Sequence, residues 1–152
     1  MTVGAEGNAD ALAADMTPLP PLFSKLKWDT GVTGKMWVSN GDIDSGLHFD
    51  ENNGGFLMQV SGEKHVNLFP PSDKPNLYMR NQQESSIFIL RDVDADTIKT
   101  KYPLVSQTHP LTATVRAGDL LYIPHTWFHE VYSVGKSISV TRWIHDTYAS
   151  LN

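Results

Sequence analysis

From Lys35 onward, apolar and polar positions alternate in short runs separated by clusters of glycine, proline and asparagine. A period of two places successive side chains on opposite faces of a strand. The pattern predicts strands at Lys35–Ser39, around His48, over Phe56–Phe69 as one long strand or two short ones, and at Ile87–Leu90, Thr112–Arg116 and Leu120–Ile123. A last hairpin is predicted from Trp127–Ser133 and Ser137–Trp143, joined by a turn at Val134-Gly135-Lys136. Ser39-Asn40-Gly41-Asp42 reads as a hairpin turn, Asn52-Asn53-Gly54-Gly55 as the next, and Ala117-Gly118-Asp119 as a third. Pro70–Arg80 reads as loop, and Asp94–Tyr102 as a helical turn that Pro103 stops. Short strands, frequent turns and minor helical segments argue for an all-β antiparallel barrel or sandwich.

Ahead of these strands the composition changes. Met1–Met16 is rich in Ala, Gly and Asp and reads as a mobile arm, with at most one helical turn at Ala11–Met16. Pro18, Pro20 and Pro21 close that arm, and Leu22–Trp28 supplies an apolar segment able to cap a barrel. The expected organisation is a flexible arm over residues 1–21, one barrel domain over 22–147 and a tail over 148–152. A chain of 152 residues suffices for one hydrophobic core.

With no cysteine, disulfide frameworks and zinc–thiolate sites are excluded. The start of the chain shows neither an apolar signal core nor an arginine-rich presequence, and no apolar run reaches membrane-spanning length. The expectation is a soluble intracellular protein, cytoplasmic or nuclear, with no membrane partner. Twelve Lys and Arg against seventeen Asp and Glu give a net charge of −5 without a basic stripe, which argues against nucleic acid as a partner. The oligomeric state is left open.

Candidate chemistry centres on His48-Phe49-Asp50 and, far downstream, His129. Residues i and i+2 of a strand share a face, so His48 and Asp50 aim inward while Leu47 and Phe49 pack on the other side. Two imidazoles and one carboxylate can occupy one side of an iron ion and leave the opposite positions open. A His-x-Asp pair by itself is a weak signal. His65, His109 and His145 read as surface side chains, whereas His125 lies at the turn into the strand of His129, where Pro124 breaks any helix that could align the two on a metal; Glu130 faces away from the metal, and Trp37 and Trp127 read as core and cavity wall.

Lys64 shares a strand face with Val66 and Leu68, while Glu63, His65, Asn67 and Phe69 take the other. Two readings stand at this point: a buried ammonium in need of an anionic partner, or a lysine whose stem snorkels to solvent. Ser139, Thr141 and Trp143 likewise share one face, opposite Ile138 and Val140. They line a polar pocket, or else they sit on an exposed edge; parity alone fits both.

The segments Ser45–Asp50, Val60–Lys64 through Pro71, Thr114–Pro124 and Trp127–His129 resemble the JmjC-domain, cupin-like oxygenases that depend on Fe(II) and 2-oxoglutarate, and among them the small protein hydroxylases. The resemblance runs from about Lys35 to Trp143, in the family's order and spacing. It implies a double-stranded β-helix, the jelly-roll barrel of the cupins. It also implies His48, Asp50 and His129 as iron ligands and Lys64 as partner of the C5 carboxylate of 2-oxoglutarate, with Ser45 assisting if a bulge at Gly46 turns it inward.

On the side of the C1 carboxylate the chain departs from the family. Relatives often carry an asparagine in the loop after His-x-Asp and another in the last strand; here the loop holds Asn52 and Asn53 and is one residue longer, and the last-strand position is Thr141, with Trp143 beside it. Asn53, Thr141 and Trp143 are the cosubstrate candidates on that side. The longer N-terminal region of relatives, with a tyrosine that also binds 2-oxoglutarate, and their C-terminal helical pair are not evident.

The implied activity is hydroxylation of a protein or peptide side chain, coupled to conversion of 2-oxoglutarate into succinate and CO2. N-methyl-lysine demethylation, small-molecule hydroxylation and a non-catalytic metal-binding cupin are the alternatives. Succinate release coupled to 2-oxoglutarate consumption separates the enzymatic readings from the last.

Overall fold

The structure, a computed structural model, describes residues 35–51, 54–87, 90 and 93–144. The expected arm, the Leu22–Trp28 segment, the tail, Asn53 and His145 lie outside the described residues. Six strands form the scaffold: β1 (Lys35–Asn40), β2 (Ile43–His48), β3 (Gly55–Phe69), β4 (Leu111–Arg116), β5 (Leu120–Ile123) and β6 (Phe128–Trp143). One short helix, α1 (Ala95–Lys101), begins where the Asp94 side chain accepts the backbone N–H of Thr97 at 2.8 Å, a standard N-cap. Two 3-10 segments, Pro71–Asn76 and Pro103–Gln107, each start on a proline. Pro70–Arg80 is therefore not plain loop, and Pro103 opens a new turn as well as ending α1.

The register corrects two predicted hairpins. β1 pairs with one half of β6, from Lys35 opposite Thr141 to Asn40 opposite Lys136, and β2 continues along the same flank from Ile43 opposite Ser133 to His48 opposite His129. The chain does not reverse at Ser39–Asp42. It also does not reverse at Val134–Lys136, because β6 is one strand paired with β3 from Gly55 opposite Trp143 to Phe69 opposite Phe128. A strand has two hydrogen-bonding edges. With β3 on one edge of β6 and β1 and β2 on the other, no edge remains for the halves of β6 to pair with each other.

β4 and β5 likewise run end to end along β3, so Ala117–Asp119 is a break in a continuous flank. Phe56–Phe69 is the single long strand of the two options.

Four long antiparallel runs result, each interrupted at about the same level: β1/β2 at Gly41, β6 around Gly135, β3 around Gly62 and β4/β5 at Gly118. Gly62, Gly118 and Gly135 have positive φ, and the β3–β6 register slips on both sides of Ser61. Bulges of this kind bend strands and raise their twist. The crease converts four long runs into eight short strands, the jelly-roll arrangement expected.

Gly62 is obligatory there. A Cβ on it would lie 2.3 Å from the Lys136 carbonyl oxygen, at φ +77.

Two apolar clusters flank the sheet. Leu47, Phe69, Leu77 and Phe128 form one, with Phe49 edge-on to Phe128 at 5.2 Å. Leu57, Val66, Leu68 and Val115 form the other, joined by Trp127 and Val131. Each fully buried side chain contributes roughly 1.5–3 kcal/mol, so the clusters hold β2, β3 and β6 in the register that the site uses. The strand expected at Ile87–Leu90 does not form at its described ends. Ile87 N–H is taken by the Ser85 hydroxyl and Leu90 N–H by the Glu130 carboxylate, which removes both donors from any ladder.

Candidate active site

β2 ends at His48, and a neighbouring segment supports the chain just beyond it. His48 bridges to Glu84, and Phe49 N–H donates to the Gln83 carbonyl at 3.0 Å. His48 and Asp50 both face the cavity, as their spacing of two predicts. His48 lies opposite His129 on β6, with ring centroids 4.5 Å apart. His48 Nε2 is 3.8 Å from Asp50 Oδ1, and one ligand atom from each of His48, Asp50 and His129 lies within 4.8 Å of the others.

Each imidazole is oriented by a backbone carbonyl. His48 Nδ1 is 2.6 Å from the Gly46 oxygen and His129 Nδ1 is 3.2 Å from the Trp127 oxygen. A carbonyl only accepts, so Nδ1 is the donor in both rings and Nε2 is the atom left facing the cluster. Burial, with help from the nearby His48, pulls the His129 imidazole down to about 4. It is neutral at pH 7, the form that ligates a metal. Asp50 is held from its far side by the Trp143 indole N–H, at 3.0 Å from Oδ2. His125 is exposed and outside this cluster, as the parity of His129 predicted.

A cavity of about 370 Å³ extends from the triad between the two halves of the barrel. His48, Asp50, His129, Lys64, Ser45, Thr141 and Trp143 all line it. Of the two readings of Lys64, burial is the observed one. Its side chain is 5% exposed, its ammonium donates to the Ser133 hydroxyl at 2.6 Å, and among the described residues no carboxylate pairs with it. Burial alone pushes its pKa below the ordinary lysine value. An anion entering the cavity would supply the missing counter-charge.

Gly46 sits within the register shift between Ser45 and His48, and that bulge brings Ser45 to the cavity wall beside His48. The Ser45 hydroxyl is engaged with the Val131 backbone, 3.2 Å from its N–H. The hydroxyl bonded to Lys64 belongs to Ser133, which the sequence reading did not single out. Its signal was available, since Ser133 shares parity with His129 and Val131. Thr141 and Ser139 line the cavity and are buried, which settles the face of β6. Thr141 accepts the Trp37 indole N–H at 2.9 Å, and the indole N–H of Trp143 is spent on Asp50.

Glu130 faces away from the triad as expected, but it is buried, accepting from Asn67 and from the backbone of Leu90. His109 is largely exposed, yet it ties the buried Asp73 to the start of β4 through its backbone N–H and Nδ1.

Chemically, two imidazoles and one carboxylate form a donor set suited to a divalent transition metal with open positions. The isolated ammonium suits an organic acid. Among the described residues no helix is long and apolar enough to cross a membrane.

The sequence profile of the cupin-like domain matches residues 7–150. The chain is 32% identical over 150 residues to the human bifunctional peptidase and (3S)-lysyl hydroxylase JMJD7, covering 82% of this chain and 47% of that protein. It is 30% identical over 135 residues to the HSPB1-associated protein 1 homolog of Danio rerio, covering 82% and 30% respectively. It is also 32% identical over 120 residues to the tRNA wybutosine-synthesizing protein 5 of Gallus gallus, covering 79% and 35%. The chain spans less than half the length of these relatives. On its fold, its site and these likenesses, it belongs to the cupin-like domain family, among the JmjC-type proteins.

Proposed function

We propose that this chain is an Fe(II)- and 2-oxoglutarate-dependent oxygenase that hydroxylates a side chain of a protein or peptide. The observation that carries the reading is the convergence of His48, Asp50 and His129 at one end of a cavity that also receives the buried ammonium of Lys64. His48 and His129 would hold the ion through Nε2 and Asp50 through Oδ1, the oxygen that Trp143 leaves free. Lys64, steadied by Ser133, would take the C5 carboxylate, and Ser45 and Thr141 shape the walls between.

When bound, the iron supplies oxygen activation, in which O2 and 2-oxoglutarate give succinate and CO2 while a substrate C–H becomes C–OH. The chain's own residues would fix the ion on one side and anchor the cosubstrate at its far end, with Leu57, Ile123 and Val131 lending the wall apolar surface. The hydroxylase activity in the human relative's name supports a protein side chain as substrate. The name of the chicken relative points to tRNA, but the net charge of −5 disfavours a polyanion here.

The test is anaerobic titration with Fe(II) and then 2-oxoglutarate, followed by a succinate assay on candidate peptides in air. The wild type should develop a weak visible charge-transfer band, His129→Ala should lose it and His125→Ala should keep it. A band that survives His129→Ala and disappears in His125→Ala would overturn the ligand assignment, and no binding of either component would overturn the function.

A further inference from the structure

Ser139 is fully buried, and its hydroxyl has no hydrogen-bond partner among the described residues. The other hydroxyls on the same cavity wall are all engaged: Ser39 donates to the Gly135 carbonyl, Ser45 meets the Val131 backbone, Ser133 accepts from Lys64 and Thr141 accepts from Trp37. Buried hydroxyls are nearly always paired, and one that is not calls for a partner outside the protein. The backbone places this one to advantage. β3 and β6 bend at Gly62 and Gly135, so the pair Lys64 and Ser133 lies on one side of the crease while Gln59 and Ser139, direct cross-strand neighbours, lie on the other.

We infer that Ser139 is a cosubstrate-binding residue: its hydroxyl donates to the acid group that Lys64 neutralises, closing the anion site from the opposite half of the barrel. This rests on the function proposed above and adds a residue to it. A carboxylate accepts several hydrogen bonds and donates none, so it can take the Lys64 ammonium from one side and Ser139 from the other. An unpaired buried hydroxyl destabilises the ligand-free fold, and the bound acid relieves that cost. A serine whose bonds lie within the protein would behave in the opposite way.

The experiment compares wild type, Ser139→Ala and Ser139→Cys by thermal melting without ligand and by anaerobic titration with Fe(II) and then 2-oxoglutarate. Ser139→Ala should raise the ligand-free Tm by about 2–4 °C, weaken 2-oxoglutarate binding by about tenfold and leave Fe(II) affinity within about twofold. Ser139→Cys, with a weaker donor of similar shape, should bind 2-oxoglutarate with intermediate affinity. Unchanged 2-oxoglutarate affinity in Ser139→Ala would overturn the inference, leaving a water between Ser139 and Gln59 as the occupant. A lower ligand-free Tm in both variants would overturn it too. Wild type that binds 2-oxoglutarate beside an indifferent Ser139→Ala sinks this inference alone, whereas wild type that binds iron but no 2-oxoglutarate sinks the proposed function with it.

Discussion

The indole N–H of Trp143 donates to Oδ2 of Asp50 at 3.0 Å across 93 positions of sequence. The bond joins the end of β6 to the residue just past β2, and it fixes which carboxylate oxygen faces the imidazoles. Groups that orient metal ligands in this way typically control affinity by ten- to a hundredfold. Trp143→Phe keeps an aromatic ring but removes the donor and part of the buried indole volume. It should weaken Fe(II) binding by about tenfold with only a modest fall in Tm, as read by metal titration and melting. Wild-type affinity in the variant would show that Asp50 is held well enough by its backbone.

Lys64→Ala should weaken 2-oxoglutarate binding by about tenfold or more, the worth of a hydrogen bond to a charged group. Fe(II) affinity should be nearly unchanged. The same variant should melt higher than wild type without ligand, because an ammonium held in the cavity without a counter-ion is costly. Calorimetric titration and thermal melts read both effects, and equal 2-oxoglutarate affinity would remove Lys64 from the site.

Acid should destabilise the metal-free protein through His129. Burial lowers its folded pKa to about 4, below the unfolded value of about 6.5. Between these values the unfolded chain binds the extra proton, so stability is full above about pH 6.5 and is lost as pH falls toward 4. The loss is on the order of 3 kcal/mol. Denaturant melts of wild type and His129→Gln from pH 7 to pH 4 should show a steeper decline in wild type; parallel curves would refute the assignment.

Two glycines on the crease should respond differently to alanine. At Gly62 the added Cβ would meet the Lys136 carbonyl oxygen at 2.3 Å, whereas at Gly118 nothing lies within 4 Å. Gly62→Ala combines backbone strain with a clash that must move β3 from β6, and should cost roughly 3 kcal/mol or more. Gly118→Ala carries the strain of a positive φ alone, about 1–2 kcal/mol. Chemical denaturation ranks the two, and equal costs would mean that the crease yields easily.

What the sequence determined by itself was local: which side chains share a face. His48 with Asp50, Lys64 with Val66, and Ser139 with Thr141 and Trp143 follow from a period of two that holds in any extended segment; all of these but Val66, which packs in the apolar cluster, line the cavity. The helix at Ala95 was legible too, since the Asp94 cap and Pro103 act within a few residues. Glycine-bearing breaks were found at the right positions but misread in direction. Ser39–Asp42 and Val134–Lys136 carry hairpin composition, and composition cannot distinguish a reversal from a bend in a strand that continues. That choice was made by the tertiary structure, because both edges of β6 are occupied by β1, β2 and β3. Pairings across the chain were decided at the same level. Lys64 meets Ser133, Asp50 meets Trp143, and Ser139 is left without a partner among the described residues, because hydrogen bonds between residues far apart in sequence depend on a register that no single strand encodes.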